Sequence, residues 1–332
     1  MPANLTPQYL EADKRLKAAK TPAEKLVCID EMLRVIPKHK GTEKMRAELR
    51  RRRSKFMDDA QKSSGPHRGH SLVVDNEGAG QIVMIGAPNV GKSALLATLT
   101  KAIPEVANYP FTTRKPMPGM VHFEDVQIQL VDFPPLSRDH MESWMSQIAR
   151  NADALLLVVD LSDADVLDEV ELLTEVLNEW KILPVDHRLT PEERDALPTG
   201  VEPLPTLLLG NKYDTPDSRD NWEIVQEFYA NRWPMLAVSA TQEDDLKILR
   251  QALYDVLDVV RVYTKAPGKK AESNAPFTLQ RGSTVVEVAA TVHKEFAERL
   301  KFARIWSTEK YDGQMVQRNH IVQDGDVIEL HT

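Results

Sequence analysis

The chain has 332 residues, enough for two domains, and its formal net charge of −8 gives no global excess of positive charge for binding nucleic acid. The single cysteine, Cys28, rules out an internal disulfide and a thiolate-rich zinc site, which fits a reducing compartment. No apolar run approaches the roughly 20 residues of a membrane span, and the opening MPANLTPQYL lacks the basic and apolar parts of a secretory signal. We therefore expect a cytoplasmic protein that does not contact a membrane.

Residues 1–70 are predicted to form an N-terminal helical region. Pro37 ends the first helix, AEKLVCIDEMLRVI. The apolar side chains of this helix recur at helical spacing, at Leu26, Ile29, Leu33 and Ile36. A second helix is expected in TEKMRAELRRRRSKFMDD, and the Gly, Ser, Pro and His content of QKSSGPHRGH predicts a linker at 61–70.

A strongly basic arm lies within this region. From Arg34 to Lys55 there are ten Lys or Arg against two Glu, a local charge of +8 in a chain that is acidic overall. One interpretation is an electrostatic footprint for RNA phosphates, and the other is a solvated helix that packs on an acidic surface of the same protein. Little aromatic interleaving accompanies the basic residues, so sequence-specific reading of single strands is not predicted, and no DNA binding is expected.

From about residue 71 to 260 short apolar runs alternate with helical stretches, as in an α/β domain. The runs QIVMIG, VQIQLVDF, ALLLVVDL, PTLLLGNK and PMLAVSA are mostly continuous, which is typical of strands buried on both faces of a mostly parallel sheet. MVHFEDVQIQLV is predicted to be a hairpin that turns near Glu124 and Asp125. An acidic helix, DADVLDEVELLTEVLNEW, precedes a short polar insertion in which Thr190 and Glu193 have capping-box spacing.

Residues 261–332 are predicted to form a separate, small α+β unit. VRVYT, FARIWS and DGDVIELHT have strand character, whereas TVVEVAATVHKEFAERL reads as one helix opened by a capping box of Thr284 and Glu287. The unit has no catalytic constellation, so we expect it to be a docking module for RNA or protein partners.

The strand QIVMIG leads into the pattern Gly-x-x-x-x-Gly-Lys-Ser at the start of a helix. The glycines let backbone amides close on phosphates at the helix N-terminus, Lys92 would reach the β and γ phosphates, and the Ser93 hydroxyl would bind magnesium. A fortuitous glycine-rich turn is the alternative, and the strand and helix on either side argue against it. The predicted phosphate-binding residues are Gly86, Ala87, Pro88, Asn89, Val90, Gly91, Lys92, Ser93 and Ala94.

The motif NKYD follows the strand PTLLLG, at the edge where open α/β sheets bind ligands. The Asp214 carboxylate can accept hydrogen bonds from guanine N1 and N2, whereas adenine has no such donor pair, so GTP is favoured over ATP. Asn211 would tie this loop to the phosphate loop, and the Lys212 stem would lie over the base. Ser239 and Ala240, after PMLAV, occupy the place where a backbone amide meets guanine O6.

Two further positions complete a predicted magnesium site. Asp132 ends the strand VQIQLVD, and NYPFTTRKP (108–116) lies between the phosphate loop and that strand, where a metal-binding threonine is needed. Thr113 is the better candidate and Thr112 the second, while an ordinary loop threonine is the alternative. The predicted catalytic residues are Lys92, Thr113 and Asp132. The predicted magnesium ligands are Ser93, Thr113 and Asp132.

This set of motifs, with YPFTT and NKYD, resembles the Obg-related GTPases, in particular the developmentally regulated GTP-binding protein (DRG) branch. PFTLQRGSTVVEVAATVHKEF through DGDVIEL resembles a TGS domain, a small β-grasp module. The likeness covers nearly the whole chain. It implies a P-loop GTPase domain between an N-terminal helical segment and a C-terminal TGS domain, with GTP or GDP and Mg²⁺ as ligands and with hydrolysis coupled to ribosome or RNA binding.

The chain departs from that family in two places. The family has Asp-x-Pro-Gly and a glycine-rich switch, whereas this chain has DFPPLSRDHMESW, so Pro135 replaces the glycine whose amide meets the last phosphate. Leu136 follows, where many small GTPases have a water-orienting glutamine. The resemblance implies that a potassium ion, held in part by Asn89, compensates, while a merely turn-forming Asn89 is the alternative. The second departure is a short stretch, 183–204, where many relatives have an inserted domain.

The motifs leave three hypotheses. The first is a slow, magnesium-dependent and potassium-stimulated GTPase that acts with ribosomes or RNA. The second is a non-switching scaffold that binds GTP or GDP and whose terminal domains bind RNA or protein. The third is a P-loop ATPase, which Asp214 disfavours.

Overall fold

The computed structural model describes residues 15, 16, 29, 32, 49, 74–100, 116–136, 143–266, 276–307 and 312–332. The chain divides into two compact units, Met1–Ser71 and Leu72–Thr332. The described residues of the first unit are helical, and three of them are buried apolar side chains, Ile29, Met32 and Leu49. The predicted linker and most of the basic arm lie outside the described residues.

The described part of the second unit consists of twelve strands and eight helices, which alternate mainly between residues 126 and 264. The strands are β1 (Gln81–Ile85), β2 (Met117–Phe123), β3 (Val126–Asp132), β4 (Ala154–Asp160), β5 (Ile182–Val185), β6 (Glu202–Asn211), β7 (Met235–Ala237), β8 (Val259–Thr264), β9 (Phe277–Gln280), β10 (Phe302–Trp306), β11 (Asp312–Val316) and β12 (Asp326–His331). The helices are α1 (Lys92–Thr100), α2 (Ser143–Asn151), α3 (Val166–Glu179), α4 (Pro191–Asp195), α5 (Ser218–Tyr229), α6 (Glu243–Leu257), α7 (Val285–Val292) and α8 (Lys294–Arg299).

Seven strands form the first sheet, in the order β2-β3-β1-β4-β6-β5, with β7 paired to β6. Every pair is parallel except β2 with β3. Strands β1 and β4 are buried at every position, because α2, α3 and α5 pack on one face of the sheet and α1 and α6 on the other. The predicted mostly parallel α/β sheet is confirmed.

Strands β2 and β3 form the predicted antiparallel hairpin at the sheet edge. It turns at Glu124, which has a left-handed φ of 49°, and at Asp125. Because β3 also pairs with β1, Asp132 lies beside Met84, close to the start of the phosphate loop. The hairpin therefore has its turn at one end of the sheet and Asp132 at the other end.

The stretch 183–204 contains a strand that the sequence pattern does not reveal. Strand β5 pairs in parallel with the first residues of β6, 202–205. Its sequence, ILPV, is only four residues long, contains a proline and is half-buried over most of its length. The predicted capping box is confirmed, since Thr190 N donates to Glu193 Oε2 at 2.8 Å and Glu193 N donates to Thr190 Oγ1 at 3.4 Å.

Strands β8 to β12 form a second, five-stranded sheet in the order β11-β10-β12-β8-β9. Strands β8 and β12 are parallel and the other pairs are antiparallel. Helix α7 packs on one face through Val285, Val288 and Ala289, which share a core with Val262 and Ile305 of the sheet. The C-terminal part of the chain is thus an α+β unit with a helix on its sheet, as predicted.

The prediction of one continuous helix over TVVEVAATVHKEFAERL is wrong. The helix is interrupted at His293, whose backbone is extended with φ −169° and ψ 140°. The imidazole Nδ1 of His293 accepts from the amide of Glu295 at 3.2 Å and so caps the start of α8. Histidine is not a usual sequence signal for a helix start, and for this reason the break was not predicted.

Arg261 of β8 links the two sheets of this unit. Its guanidinium donates to Glu124, to Asp125 Oδ1 at 3.1 Å and to Asp324 Oδ2 at 2.7 Å. The first two acceptors form the β2–β3 turn, and Asp324 lies just before β12. Only 15% of the Arg261 side chain is exposed, so one cation with three carboxylates joins the hairpin to the C-terminal sheet.

Two tyrosines extend this link. The Tyr263 hydroxyl donates to Asp125 Oδ2, and the Tyr254 hydroxyl donates to Asp324 Oδ1 at 2.9 Å. Burial and the hydrogen bond to Asp125 raise the pKa of Tyr263 to about 12. The Arg261 guanidinium lies 5.3 Å from the centre of the Tyr254 ring. We refer to these six residues as the Arg261 cluster: Arg261, Tyr254, Tyr263, Glu124, Asp125 and Asp324.

Within the part of the chain that the structure describes, no helix has the length and apolar character needed to cross a membrane.

Candidate nucleotide-binding site

The phosphate loop, 86–91, connects β1 to α1, and its two glycines are required because neighbouring atoms leave no room for a side chain. A Cβ on Gly86 would lie 2.4 Å from the carbonyl oxygen of Val158. Gly91 has φ +97°, and a Cβ there would lie 2.3 Å from Asn211 Nδ2. Asn89 also has a left-handed backbone, with φ 65°, and is exposed. The loop is thus packed against β4 and β6 at their carboxyl ends.

Lys92, the first residue of α1, is held beneath this loop. Its Nζ donates to the carbonyl oxygens of Gly86 at 2.8 Å and Ala87 at 2.9 Å, and only 5% of the residue is exposed. These contacts place a buried ammonium at the N-terminus of a helix, where backbone amides point in the same direction. Positive charge and amide donors together suit a polyphosphate.

Ser93 and Asp132 meet next to Lys92. The Ser93 hydroxyl donates to Asp132 Oδ2 at 2.5 Å, and Asp132 is 7% exposed at the end of β3. A hydroxyl and a carboxylate brought this close are hard oxygen donors of the kind that Mg²⁺ binds, so the residues present fit that ion. The other predicted magnesium ligand, Thr113, and its alternative, Thr112, lie outside the described residues.

Asn211 ends β6 and connects the NKYD loop to the phosphate loop. Its Nδ2 donates to the Val90 carbonyl at 2.8 Å, and the residue is 2% exposed. Its Oδ1 is buried and has no hydrogen-bond partner among the described residues. A buried acceptor without a donor costs about 1–3 kcal/mol, which a bound ligand or water would offset.

Lys212 forms an ion pair that sequence reasoning missed. Its ammonium donates to Asp160 Oδ2 at the end of β4, and its backbone is left-handed with φ 63°. Burial would raise the pKa of Asp160, but hydrogen bonds from Lys212 and Ser162 keep this pKa below its ordinary value. The sequence contains one indication of this ion pair, which is that Asp160 ends β4 and Asn211, the residue before Lys212, ends the neighbouring strand β6.

The remaining predicted guanine-binding residues lie on the neighbouring loops. Asp214 is exposed, and its Oδ2 accepts from Thr241 Oγ1 at 3.5 Å. The Ser239 amide donates to Asp245 Oδ2 at 2.8 Å, so this amide is already used at the start of α6. Ala240 follows directly and is half-buried. The β6 and β7 loops are therefore side by side, with an exposed carboxylate at their surface.

The segment after Asp132 folds back onto the phosphate loop. The amide of Leu136 donates to the Gly86 carbonyl at 3.2 Å, and the Leu136 side chain is fully buried in a core with Phe133 and Met145. Pro135 is half-buried beside it. In this arrangement, the first amide after Pro135 faces a carbonyl of the phosphate loop.

The structure brings the described candidates together at one edge of the first sheet. The phosphate loop with Lys92 follows β1, Asp132 ends β3, Asn211 ends β6, and Ser239 follows β7. In parallel α/β sheets this carboxyl edge is where ligands bind. The residues predicted to bind phosphate, metal and base therefore lie at the same edge, as the binding of a single nucleotide requires.

Comparisons with known proteins identify both ends of the second unit. A family described as 50S ribosome-binding GTPase matches residues 81–187, and the TGS domain family matches residues 260–332. An uncharacterized GTP-binding protein of Methanocaldococcus jannaschii is 27% identical over 92% of each chain. GTP-binding protein 1 of Schizosaccharomyces pombe is 26% identical over 93% of this chain and 99% of its own.

Developmentally-regulated GTP-binding protein 2 of Homo sapiens is 25% identical over 92% of this chain and 98% of its own. Among solved structures, the YchF GTPase of Schizosaccharomyces pombe superposes with a TM-score of 0.51 at 14% identity, covering 78% of this chain and 99% of that one, and shows the fold alone. The chain therefore has a P-loop GTPase domain and a C-terminal TGS domain, and over most of its length it is similar to the developmentally regulated GTP-binding proteins, the branch that its motifs resemble.

Proposed function

We propose that this protein is a slow, magnesium-dependent and potassium-stimulated GTPase that acts in the cytoplasm with ribosomes or RNA. The observation that carries the proposal is the meeting of buried Lys92, the Ser93–Asp132 pair and the Asn211 tie at one sheet edge. We also propose three domains. Residues 1–70 form the helical region with its basic arm, residues 71–260 form the GTPase domain, and residues 261–332 form the TGS domain.

Each candidate residue has a distinct role in this proposal. Lys92 and the amides of the phosphate loop bind the phosphates, while Asp214 accepts from guanine N1 and N2. Because the Ser239 amide already donates to Asp245, the Ala240 amide is the better donor for guanine O6. Magnesium would be held by Ser93, Asp132 and Thr113, and would neutralise charge on the phosphates during hydrolysis.

Hydrolysis is expected to be slow because of Pro135, which has no amide hydrogen to donate to the last phosphate. One hydrogen bond to a charged group is worth about 1.5–3 kcal/mol, so its absence would weaken GTP relative to GDP by roughly 10- to 100-fold. An amide that also stabilises the transition state contributes on the order of 10²–10³ in rate. Leu136 cannot orient water, since its side chain is buried, and a potassium ion at Asn89 is our proposal for compensation.

The second candidate function is a guanine-nucleotide-binding scaffold that does not switch. It is favoured by the hydrogen bond from the Leu136 amide to Gly86 and by the burial of Leu136 and Phe133, because both hold the segment after Asp132 in one position. In that case GTP and GDP would bind equally and would stabilise the fold alone.

Substitution of Pro135 by glycine separates the two candidates. GTP and GDP affinities and single-turnover hydrolysis are measured for the unmodified protein and for Pro135→Gly, in potassium and in sodium. We expect faster turnover in potassium than in sodium, and a GTP preference about 10- to 100-fold greater in Pro135→Gly. Pro134→Gly is the matched control, since it adds an amide one position too early and should leave the preference unchanged. Equal behaviour of all three proteins would favour the scaffold.

The proposed ribosome or RNA partner is supported by the description of the matching family, 50S ribosome-binding GTPase, and by the +8 charge between Arg34 and Lys55. Binding through that arm should weaken steeply as salt is added, because each phosphate contact releases counterions. Co-sedimentation of the full chain with ribosomes or RNA over a salt series measures this, and salt-insensitive binding would contradict an electrostatic arm.

A further inference from the structure

The ion pair between Lys212 and Asp160 lies at the proposed base-binding end of the site. Strands β4 and β6 are adjacent and parallel, and Asp160 is directly opposite Asn211, the residue before Lys212. The Lys212 side chain is 34% exposed and that of Asp160 is 13% exposed. The pair is therefore partly exposed at the protein surface, with the carboxylate deeper than the ammonium.

Asp160 is fixed independently of the lysine. Its Oδ1 accepts from the amide of Ser162 at 2.9 Å and from the Ser162 hydroxyl at 2.6 Å, which leaves Oδ2 for Lys212. The Asp160 amide in turn donates to Glu169 Oε2 of α3 at 2.9 Å. The carboxylate is thus an ordered anchor on the end of a buried strand.

Lys212 is consequently held at both ends. Its backbone lies between Asn211, which is tied to Val90, and Tyr213, whose amide donates to the Val238 carbonyl at 3.1 Å. Its ammonium is held by Asp160, so the four-carbon stem between them has lost most of the freedom that a surface lysine has. The ammonium is also kept from pairing with Asp214, two residues later.

We propose that Asp160 is a positioning residue of the guanine pocket, which holds Lys212 so that its stem covers the base and so that Asp214 remains available to guanine N1 and N2. This role rests on the proposed binding of guanine nucleotides. Asp160 acts through Lys212 and does not itself contact the nucleotide. The role is specific to the base end of the ligand, because the phosphates bind at the other end of the site.

The test uses the isosteric variant Asp160→Asn, with GDP and inorganic pyrophosphate as ligands. We expect GDP affinity to fall about 10-fold, as for the loss of one ordered contact, while pyrophosphate affinity stays the same. Lys212→Met should give a similar loss of GDP affinity. The double variant should be no weaker than the weaker single variant, because the two side chains act as one unit.

Glu169→Gln is the matched control. It makes the same chemical change at a carboxylate that contacts the Asp160 amide instead of the Lys212 ammonium, and GDP affinity should be unchanged. A change of less than about twofold in Asp160→Asn, equal losses for GDP and pyrophosphate, or additive losses in the double variant would overturn the role of Asp160. Failure of the unmodified protein to bind GDP would refute the proposed function itself, and the role of Asp160 with it.

Discussion

Replacing Arg261 by methionine should weaken the link between the C-terminal sheet and the β2–β3 hairpin. The variant keeps an aliphatic stem beside Tyr254 and removes the cation that Glu124, Asp125 and Asp324 share. Breaking a buried ion pair costs about 3–5 kcal/mol, but Glu124 is 58% exposed and the other two carboxylates are each 32% exposed. Since water would resolvate them in part, we expect a loss of about 2–3 kcal/mol in the free energy of unfolding.

Thermal and urea unfolding of the full chain measure this loss. For a unit of this size it corresponds to a melting temperature lower by roughly 5–10 °C. Arg281→Met is the matched control, because Arg281 is 56% exposed and pairs only with Asp258, at 2.7 Å, among the described residues. The control should lose no more than about 1 kcal/mol. Equal losses in the two variants would refute the reasoning that the Arg261 cluster is a structural link.

Two further outcomes are expected. Gly91→Ala should abolish tight GDP binding in a nucleotide titration, because the added Cβ would displace Asn211 Nδ2. Gly200→Ala is the control and should bind GDP normally, because Gly200 also has a left-handed φ, +85°, but no atom lies within 4 Å of the added Cβ. Equal binding by the two variants would contradict the steric argument. Tyr263 has a pKa raised from 10.0 to about 12, so its contribution to stability is complete below pH 10 and is lost as pH rises through 12. Urea unfolding across that range should show a decline that is smaller in Tyr263→Phe, and identical profiles for the two proteins would argue against the Tyr263–Asp125 bond.

Most of the first sheet, with the exception of β5, was predictable from local patterns. Its central strands are continuous apolar runs because helices cover both faces, and the hairpin turn at Glu124 and Asp125 interrupts one such pattern with two acidic residues. The phosphate loop was equally visible, because its motif lies within eight consecutive residues, 86–93, although the atoms that exclude a side chain at Gly86 and Gly91 belong to the distant Val158 and Asn211. Features formed by residues that are close together in the chain can be recognised in a single sequence.

Contacts between distant segments were not predictable in the same way. Arg261 lies 137 residues from Glu124, and nothing in the local sequence of either residue indicates the other. The Asp160–Lys212 pair spans 52 residues and depends on two strands being neighbours in the sheet. The break at His293 was missed because a ring nitrogen, in place of a usual capping side chain, starts the next helix.

Because Phe133 and Leu136 are buried, only a small fraction of molecules can hold the segment after Asp132 in a different, released position. Both side chains are essentially inaccessible, at 1% and 0% exposure. Exposing the pair to water would cost about 3–6 kcal/mol, which corresponds to a released form in about 1% of molecules or fewer. A binding partner that stabilised the released form would have to bind it more tightly than the buried form by at least that free energy.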